Sequence, residues 1–327
     1  MKVEVIPQAR TLIAKPASGG TARLHGGLSR YAIYLFLVLL ILLSGVAAPA
    51  FLSGQNLSNL VLQTVPLAIV VIGQALVIMT GGLDLSVASV MATAAVAGTC
   101  FGTGIGAVIT TLVVSLAIGG VTGLVNGLLV TKRQVSPFLA TLASMIVLQG
   151  LRFAWTKGAP SGGLPPILRV VGAATWHGIP VNLFVLIVVA ALACFLVHFT
   201  LLGRRFMITG GNPVTARLLG YRVDTIIIGS YVLSGLLAAI AGVVLGGYAE
   251  IVDNQVGRGF ELDSIVAAVI GGVALSGGRG TIPGALAGAA VLMLAANAVL
   301  LLGLPIQFQI VLKGIVIVLA AACYVRR

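Results

Sequence analysis

Charged side chains are scarce in this chain of 327 residues: 8% of the residues are charged, whereas 59% are hydrophobic. A soluble domain carries about a quarter charged residues, so this sequence cannot cover a water-soluble fold. Apolar runs near or above the roughly 18 residues of a spanning helix recur from Tyr31 to the C-terminus. The sequence therefore predicts an all-α, polytopic integral membrane helix bundle.

Histidine and cysteine are also rare, with three of each. Cys100, Cys194 and Cys323 are widely spaced, with neither metal-ligand spacing nor an even count for disulfide pairing. The histidines lie apart, so no metal site and no catalytic residue is predicted, and a membrane-embedded enzyme is disfavoured. The chain also has no Gly-x-x-x-x-Gly-Lys-Ser/Thr phosphate loop, which argues against an ATPase within it.

Acidic residues are few, with seven Asp and Glu against 19 Lys and Arg, and the net charge is +12. The cations lie in the gaps between apolar runs rather than on one amphipathic face, which argues against nucleic-acid binding. Cytoplasmic loops are enriched in Lys and Arg. With the N-terminus inside, fourteen cations fall on the cytoplasmic side and five, including Arg152, on the other. The distribution predicts an N-in, C-in orientation.

Ten membrane-spanning helices are predicted from the apolar runs. The spans are 31–48, 59–80, 85–101, 104–130, 137–154, 181–202, 225–247, 262–276, 282–302 and 308–325. Residues 1–30 contain five cations among Pro, Gly, Ser and Thr, and are predicted to form a disordered cytoplasmic tail before a transmembrane domain over 31–327. Glycines at helical spacing, such as Gly119, Gly123 and Gly127, predict close helix packing.

A first unusual stretch, Gly81-Gly82-Leu83-Asp84-Leu85-Ser86, interrupts two apolar runs with almost no loop. An acid in such a place is costly unless it is paired, capped or hydrated. Asp84 is predicted to cap the helix that begins near Leu85 by accepting hydrogen bonds from its first amides. A direct role in transport is the alternative. Gly81, Gly82, Asp84 and Ser86 are thus candidate structural or gating residues.

A second stretch lies in the basic loop between the sixth and seventh spans. Asn212 before Pro213 is a good helix start and Gly220 a good stop, so little more than two turns of helix are predicted between them. Such a short helix on the membrane face could be a knob for a soluble partner. The alternative is a positively charged loop that only sets the topology.

A third stretch, Leu275-Ser276-Gly277-Gly278-Arg279, follows an apolar span and precedes Pro283. It looks like the signature of ABC ATPases, but without a phosphate loop this likeness is a coincidence. The stretch predicts a broken helix with Pro283 in the first turn of the next span. Because it repeats the pattern of the first stretch, two structurally related halves are possible, with Asp84 and Arg279 approaching each other.

Taken in order, the three stretches resemble the ribose-type permease family of bacterial ABC sugar importers, in the branched-chain amino acid/ribose permease superfamily. The resemblance covers nearly everything after the tail. It rests on Thr80 to Ser86, on Gly210-Gly211-Asn212-Pro213 with Ala216-Arg217 and Gly220, and on Val269 to Gly272 with Leu275 to Gly280. At residue 88 this chain has Ala where many relatives have Gly.

The resemblance implies a subunit of the bacterial inner membrane that has no ATPase of its own. Such subunits form homodimers or heterodimers, sit on cytoplasmic ABC ATPase subunits that bind ATP and Mg²⁺, and receive sugar from a periplasmic binding protein. Residues 212–222 match the coupling helix that transmits ATP-driven movement in these importers. The resemblance therefore implies these coupling residues: Asn212, Pro213, Ala216, Arg217 and Gly220.

A pathway for a neutral sugar at a subunit interface needs hydrogen-bonding groups and apolar walls rather than a fixed charge. The membrane-embedded polar candidates are Gln63, Gln74, Asn126, Gln149 and Asn297. Each could instead join helices by hydrogen bonds. The alternative function is an ion-coupled secondary transporter of a small polar solute. It would need ionisable residues deep in several helices, and only Asp84 comes close.

Overall fold

The computed structural model describes residues 21–159, 162–305, 307–311 and 313–315, and its regular structure is almost entirely helical. The longer helices are α1 (Thr21–Ala47), α2 (Gly54–Met79), α3 (Val87–Gly98), α4 (Ile105–Lys132), α5 (Pro137–Thr156), α6 (Pro166–Ala173), α7 (Asn182–Cys194), α8 (Leu201–Gly211), α9 (Pro213–Leu218), α10 (Val223–Tyr248), α11 (Phe260–Ile270) and α12 (Ile282–Leu301). A short antiparallel hairpin joins β1 (Thr175–Trp176) to β2 (Ile179–Pro180).

Within the described part of the chain, six helices are long and apolar enough to cross a membrane: α2, α4, α5, α7 with its π-helical extension to Phe199, α10 and α12. The all-α, polytopic membrane fold predicted from composition is therefore confirmed. Helices α1 to α5, α7 and α10 to α12 overlap the first nine predicted spans. The tenth predicted span, 308–325, lies mostly outside the described residues.

Three features differ from the sequence-based prediction. Residues 21–30, predicted to belong to the tail, are part of helix α1, and residues 1–20 lie outside the described part, so the division into a tail and a transmembrane domain stays a prediction. Helix α11 ends at Ile270 rather than at 276, because Gly272 turns the chain with a φ of +86°. Helices α6 and α8 and the hairpin occupy regions that were predicted to be loops.

Helices α2 and α10 form the centre of the bundle. The side chains of α2 are buried continuously from Val65 to Met79, and α10 packs against α2, α3, α4 and α6. Helices α4 and α10 touch backbone to backbone: a Cβ on Gly119 would overlap the carbonyl oxygen of Gly235, and one on Gly123 that of Tyr231. This contact confirms the close packing predicted from the glycine spacing.

The two ends of the bundle differ in charge. At the basic end α2, α4 and α8 finish, α10 and α12 begin, and the ion pair of Lys132 with Asp224 joins α4 to α10 at 2.7 Å. At the acidic end α5 and α10 finish, α11 begins, and the connection over 249–259 carries Glu250 and Asp253. The basic end is where the three unusual stretches of the sequence meet.

Candidate functional site

The short helix α9 lies at the basic end and has the boundaries that the sequence predicts. The Asn212 side-chain oxygen accepts hydrogen bonds from the backbone N–H groups of Val214 and Thr215, both at 3.0 Å. Pro213 occupies the first helical turn, where its missing N–H costs nothing. Gly220 ends the segment with a φ of +81°, a conformation that favours glycine.

Helix α9 buries one side and presents apolar side chains on the other. Ala216 is fully buried, whereas Leu218 is 84% exposed and Val214 and Leu219 are exposed as well. Arg217 lies 3.5 Å from Asp224, which in turn pairs with Lys132 on α4. Exposed leucines beside charged residues at the basic end are typical of a surface that a protein partner covers.

A glycine junction, formed by Met79, Gly210, Gly211, Gly277 and Gly278, connects α9 to the rest of the bundle. The Gly278 N–H donates to the Met79 carbonyl oxygen at 3.0 Å. A Cβ on Gly210 would overlap that same oxygen, and one on Gly277 would lie 2.7 Å from the Gly210 oxygen. The end of α8, the end of α2 and the connection between α11 and α12 therefore meet through direct contacts between backbone atoms.

Asp84 lies directly after this junction, in the connection between α2 and α3, and it is buried. One carboxylate oxygen accepts from the Ser86 N–H at 3.0 Å and from the Ser86 hydroxyl at 2.6 Å. The other oxygen accepts from the Ser234 hydroxyl of α10 at 2.8 Å. Asp84 thus binds the amide of Ser86, the residue just before α3, whereas α3 begins at Val87 without a side-chain cap, so the predicted hydrogen bonds from Asp84 to the first amides of the helix are not formed.

The hydrogen bonds continue from Ser86 into α4 and α5. The Asn126 amide donates to the Ser86 hydroxyl at 2.9 Å, and the Ser144 hydroxyl donates to the Asn126 oxygen at 2.5 Å. With its amide oriented so that donors face acceptors, Gln74 of α2 donates to the Asp84 carbonyl at 2.9 Å and accepts from its N–H at 3.3 Å. The Asp84 network, as we call this set, joins five helices.

The glycines beside Asp84 have separate roles. Gly81 adopts a φ of +86°, which allows the sharp turn after α2. A Cβ on Gly82 would lie 2.5 Å from the hydroxyl oxygen of Tyr231, which donates to the Leu83 carbonyl at 3.2 Å. Both glycines thus hold the chain close to α10.

Arg279 does not pair with Asp84. The Arg279 residue is exposed, both carboxylate oxygens of Asp84 bind hydroxyl groups, and the ion pairs of the described residues do not include these two. The backbone stretches that carry the two charges do meet, at the glycine junction. The prediction was therefore right for the stretches and wrong for the side chains, because burial of Asp84 is compensated by neutral donors.

The five polar candidates for a pathway separate into two groups. Gln74 and Asn126 are buried in the Asp84 network, and Asn297 exchanges two hydrogen bonds of 3.0 and 3.1 Å with Asn56. These three join helices. Gln63 on α2 and Gln149 on α5 are exposed on the surface of the chain. Only these two could face a pathway outside the bundle.

Arg152 was not predicted to be a site residue, because it was counted with the cations on the outer side of the membrane. It lies inside α5 and is 4% exposed. The signal was present in the sequence, since a single Arg falls within the predicted span 137–154. Ser144 and Ser234 were also missed, and nothing in their sequence context distinguishes them from the other small polar residues of the helices.

The family model for the permease component of branched-chain amino acid transport systems matches residues 56–321. The chain belongs to this permease family. The ribose import permease protein of Bacillus subtilis strain 168 is 37% identical over 304 residues, which cover 91% of this chain and 94% of that protein. The ribose import permease protein of Escherichia coli K12 is 37% identical over 292 residues, covering 87% and 90% of the two chains.

A third relative of this permease is the autoinducer 2 import system permease protein of Escherichia coli strain SMS-3-5, which is 33% identical over 283 residues and covers 86% of this chain and 83% of its own. No solved structure shows significant similarity. The family match includes α9, the glycine junction and the Asp84 network, so the site described above belongs to the permease domain itself.

Proposed function

We propose that this chain is the membrane-spanning permease subunit of an ATP-driven importer in the bacterial inner membrane. Its cargo is a monosaccharide, a pentose or hexose or a similar polyol. The family match supports the permease role, and two relatives named as ribose import permeases support the sugar. The chain has no phosphate loop, so ATP and Mg²⁺ bind to a separate ABC ATPase subunit at the basic end.

The observation that carries this proposal is the attachment of α9 to two helix breaks. Gly210 stands two residues before the Asn212 cap of α9, and it touches both Met79 and Gly278 through backbone atoms. Backbone contacts of this kind contain no side chain that could rotate to absorb a displacement. A partner that pushes α9 therefore moves the connection between α2 and α3 together with the one between α11 and α12.

The Asp84 network carries such a movement into the membrane. Asp84 lies five residues after Met79, and its hydrogen bonds reach α4 through Asn126 and α5 through Ser144. We take α3 and α11 as halves of broken spans, ten spans in all, with both chain termini in the cytoplasm. The concentration of Lys and Arg at the basic end supports this orientation.

A second permease subunit, identical or related, would complete the pathway. Gln149 lies near the middle of α5, is exposed, and makes no hydrogen bond in the part of the chain that the structure describes. A Cβ on its neighbour Gly150 would touch nothing within 4 Å, so intrachain packing does not require this glycine. An amide facing lipid is unfavourable. We therefore assign this face of α5 to a subunit interface through which the sugar passes after delivery by a periplasmic binding protein.

The proposal is tested with Leu218→Glu in lipid nanodiscs, using an ABC ATPase subunit from the same organism as the partner. Leu218 is 84% exposed, so the variant should fold normally. Loss of a buried leucine contact costs about 2 kcal/mol, so the affinity for the ATPase should fall by roughly thirtyfold. Ile251→Glu is the matched control, because Ile251 is also exposed but lies at the acidic end.

Normal ATPase binding by Leu218→Glu would contradict the assignment of α9 as the coupling helix. Sugar uptake in proteoliposomes, measured with and without the ATPase, tests the energy source. If the chain moves solute down an ion gradient without any ATPase, it is a secondary transporter and the importer proposal is wrong.

A further inference from the structure

Arg152 is a buried cation that is held by neutral groups, and the negative charge of the exposed Asp253 acts on it from the 249–259 connection. Its guanidinium donates to the Ser89 carbonyl at 3.3 Å and to the Thr93 hydroxyl at 3.2 Å, both on α3. It also donates to the Asn254 carbonyl at 2.8 Å, in the connection between α10 and α11. Among the described residues, the ion pairs do not include Arg152. One side chain of α5 thus holds two other elements at the acidic end.

Asn254 completes the contact from the opposite side. It is buried, and its amide donates to the Thr156 hydroxyl at 2.7 Å and to the Ala159 carbonyl at 3.2 Å, at the end of α5. Asn254 therefore joins the connection over 249–259 to α5 through both its backbone carbonyl and its side chain. The rest of this connection is largely exposed, including Ile251 and Asp253.

The arrangement is unfavourable for stability alone. The Nε of Arg152 and the side-chain oxygen of Asn254 are buried and have no hydrogen-bond partner. Burying a charge without a hydrogen-bonded carboxylate is costly, and an apolar side chain would fill the same space at less cost. An ionisable residue within a membrane helix is accordingly a candidate for a functional role.

We propose that Arg152 and Asn254 form a latch that couples the 249–259 connection to α5. Arg152 and Asn254 are thus positioning residues. A protein that docks on the exposed 249–259 connection displaces this connection, and the displacement reaches α5 through the Arg152 guanidinium. Helix α5 carries Gln149 one turn before Arg152, so the signal arrives beside the assigned pathway face. This inference rests on the proposed importer function, in which the docking protein is the sugar-binding protein.

The test measures ATP hydrolysis by the complete importer in proteoliposomes as sugar-loaded binding protein is titrated. Arg152→Met keeps an unbranched side chain and removes the guanidinium with its three hydrogen bonds. Asn254→Ala removes the two side-chain contacts and keeps the carbonyl that Arg152 uses. Lys157→Met is the matched control, because it removes an exposed cation from the same end of α5.

We expect the maximal stimulation by binding protein to fall by about tenfold in Arg152→Met, the factor that loss of a charge-assisted hydrogen bond represents, and by roughly fivefold in Asn254→Ala, which loses only neutral hydrogen bonds. The binding-protein concentration for half-maximal stimulation should stay unchanged, because the docking surface is intact. Lys157→Met should behave as the wild type. Faster hydrogen exchange over 249–259 in Arg152→Met is expected to accompany the loss.

The outcomes separate this inference from the proposed function. If binding protein and ATPase do not stimulate hydrolysis in the wild type, the importer proposal itself fails. If the wild type responds and Arg152→Met responds equally, the latch is refuted. A loss of thermal stability with basal and stimulated rates reduced in the same proportion also refutes it, because that pattern indicates a purely structural role.

Discussion

Adding one methyl group at the glycine junction should disconnect α9 from the membrane helices. In Gly210→Ala the new Cβ would overlap the Met79 oxygen and lie 2.8 Å from the Gly278 nitrogen, so the 3.0 Å hydrogen bond between them would break. Overpacking costs about 1–3 kcal/mol and the hydrogen bond about 1 kcal/mol, offset by up to roughly 1 kcal/mol of helix propensity. The net expected loss of stability is about 1–3 kcal/mol.

The decisive assay compares ATP hydrolysis with sugar uptake in proteoliposomes. Gly210→Ala should still bind the ATPase through α9, so hydrolysis continues while uptake falls. The control is Gly229→Ala on α10, where a Cβ would meet nothing within 4 Å, and a gain of up to about 1 kcal/mol is expected. Uptake and thermal stability of Gly210→Ala equal to those of the wild type would show that the junction is not close-packed, and the transmission argument would fail with it.

Two further pairs of substitutions test the polar contacts by thermal unfolding in detergent. Asp84→Leu leaves the hydroxyls of Ser86 and Ser234 without their acceptor and should lower the free energy of unfolding by about 2–5 kcal/mol. Asp84→Asn keeps an acceptor and should lower it by less than half as much. Equal losses of stability in the two variants would contradict this. In the pair Asn56→Ala and Asn297→Ala, a double-mutant cycle should give a coupling near 0.6 kcal/mol, and additive effects would mean that the two amides do not bind each other.

Features that depend on local chemistry could be predicted from the sequence. The limits of α9 follow from Asn212, Pro213 and Gly220, whose preferences are set by their own backbone conformations. Most of the spans follow from apolar runs, because the bilayer allows few alternatives to a helix of sufficient length. The hydrogen bond from the Ser86 amide to Asp84 belongs to the same class, since donor and acceptor are two residues apart.

The approach of the stretches around Asp84 and Arg279 was predicted, but the atoms that touch between distant segments were not. The approach of Gly278 to Met79 depends on how α8, α11 and α12 pack. A glycine in a turn has the same sequence signature whether or not another backbone segment contacts it. The pairing of Asp84 with Ser234 rather than Arg279 was hidden for the same reason: opposite charge suggests a partner, but burial selects whichever donor lies within reach. Serine hydroxyls are common in packed helices, so Ser234 carried no distinguishing signal.

The contacts of α5 explain how events at both membrane faces could reach one pathway. Two turns after its start, Ser144 bonds to Asn126 and so belongs to the Asp84 network, which begins at the glycine junction. Near its end, Arg152 bonds to the 249–259 connection. Between them lies Gln149, exposed on the face that we assign to the pathway. Helix α5 is held on both sides of Gln149 by polar contacts, within a largely apolar bundle. It shifts when the contacts of Ser144 or those of Arg152 rearrange, because buried polar groups favour keeping their partners. Removing the contacts of Ser144 or those of Arg152 should therefore uncouple sugar transport from ATP hydrolysis. Removing only the Arg152 contacts should leave the response to ATP intact.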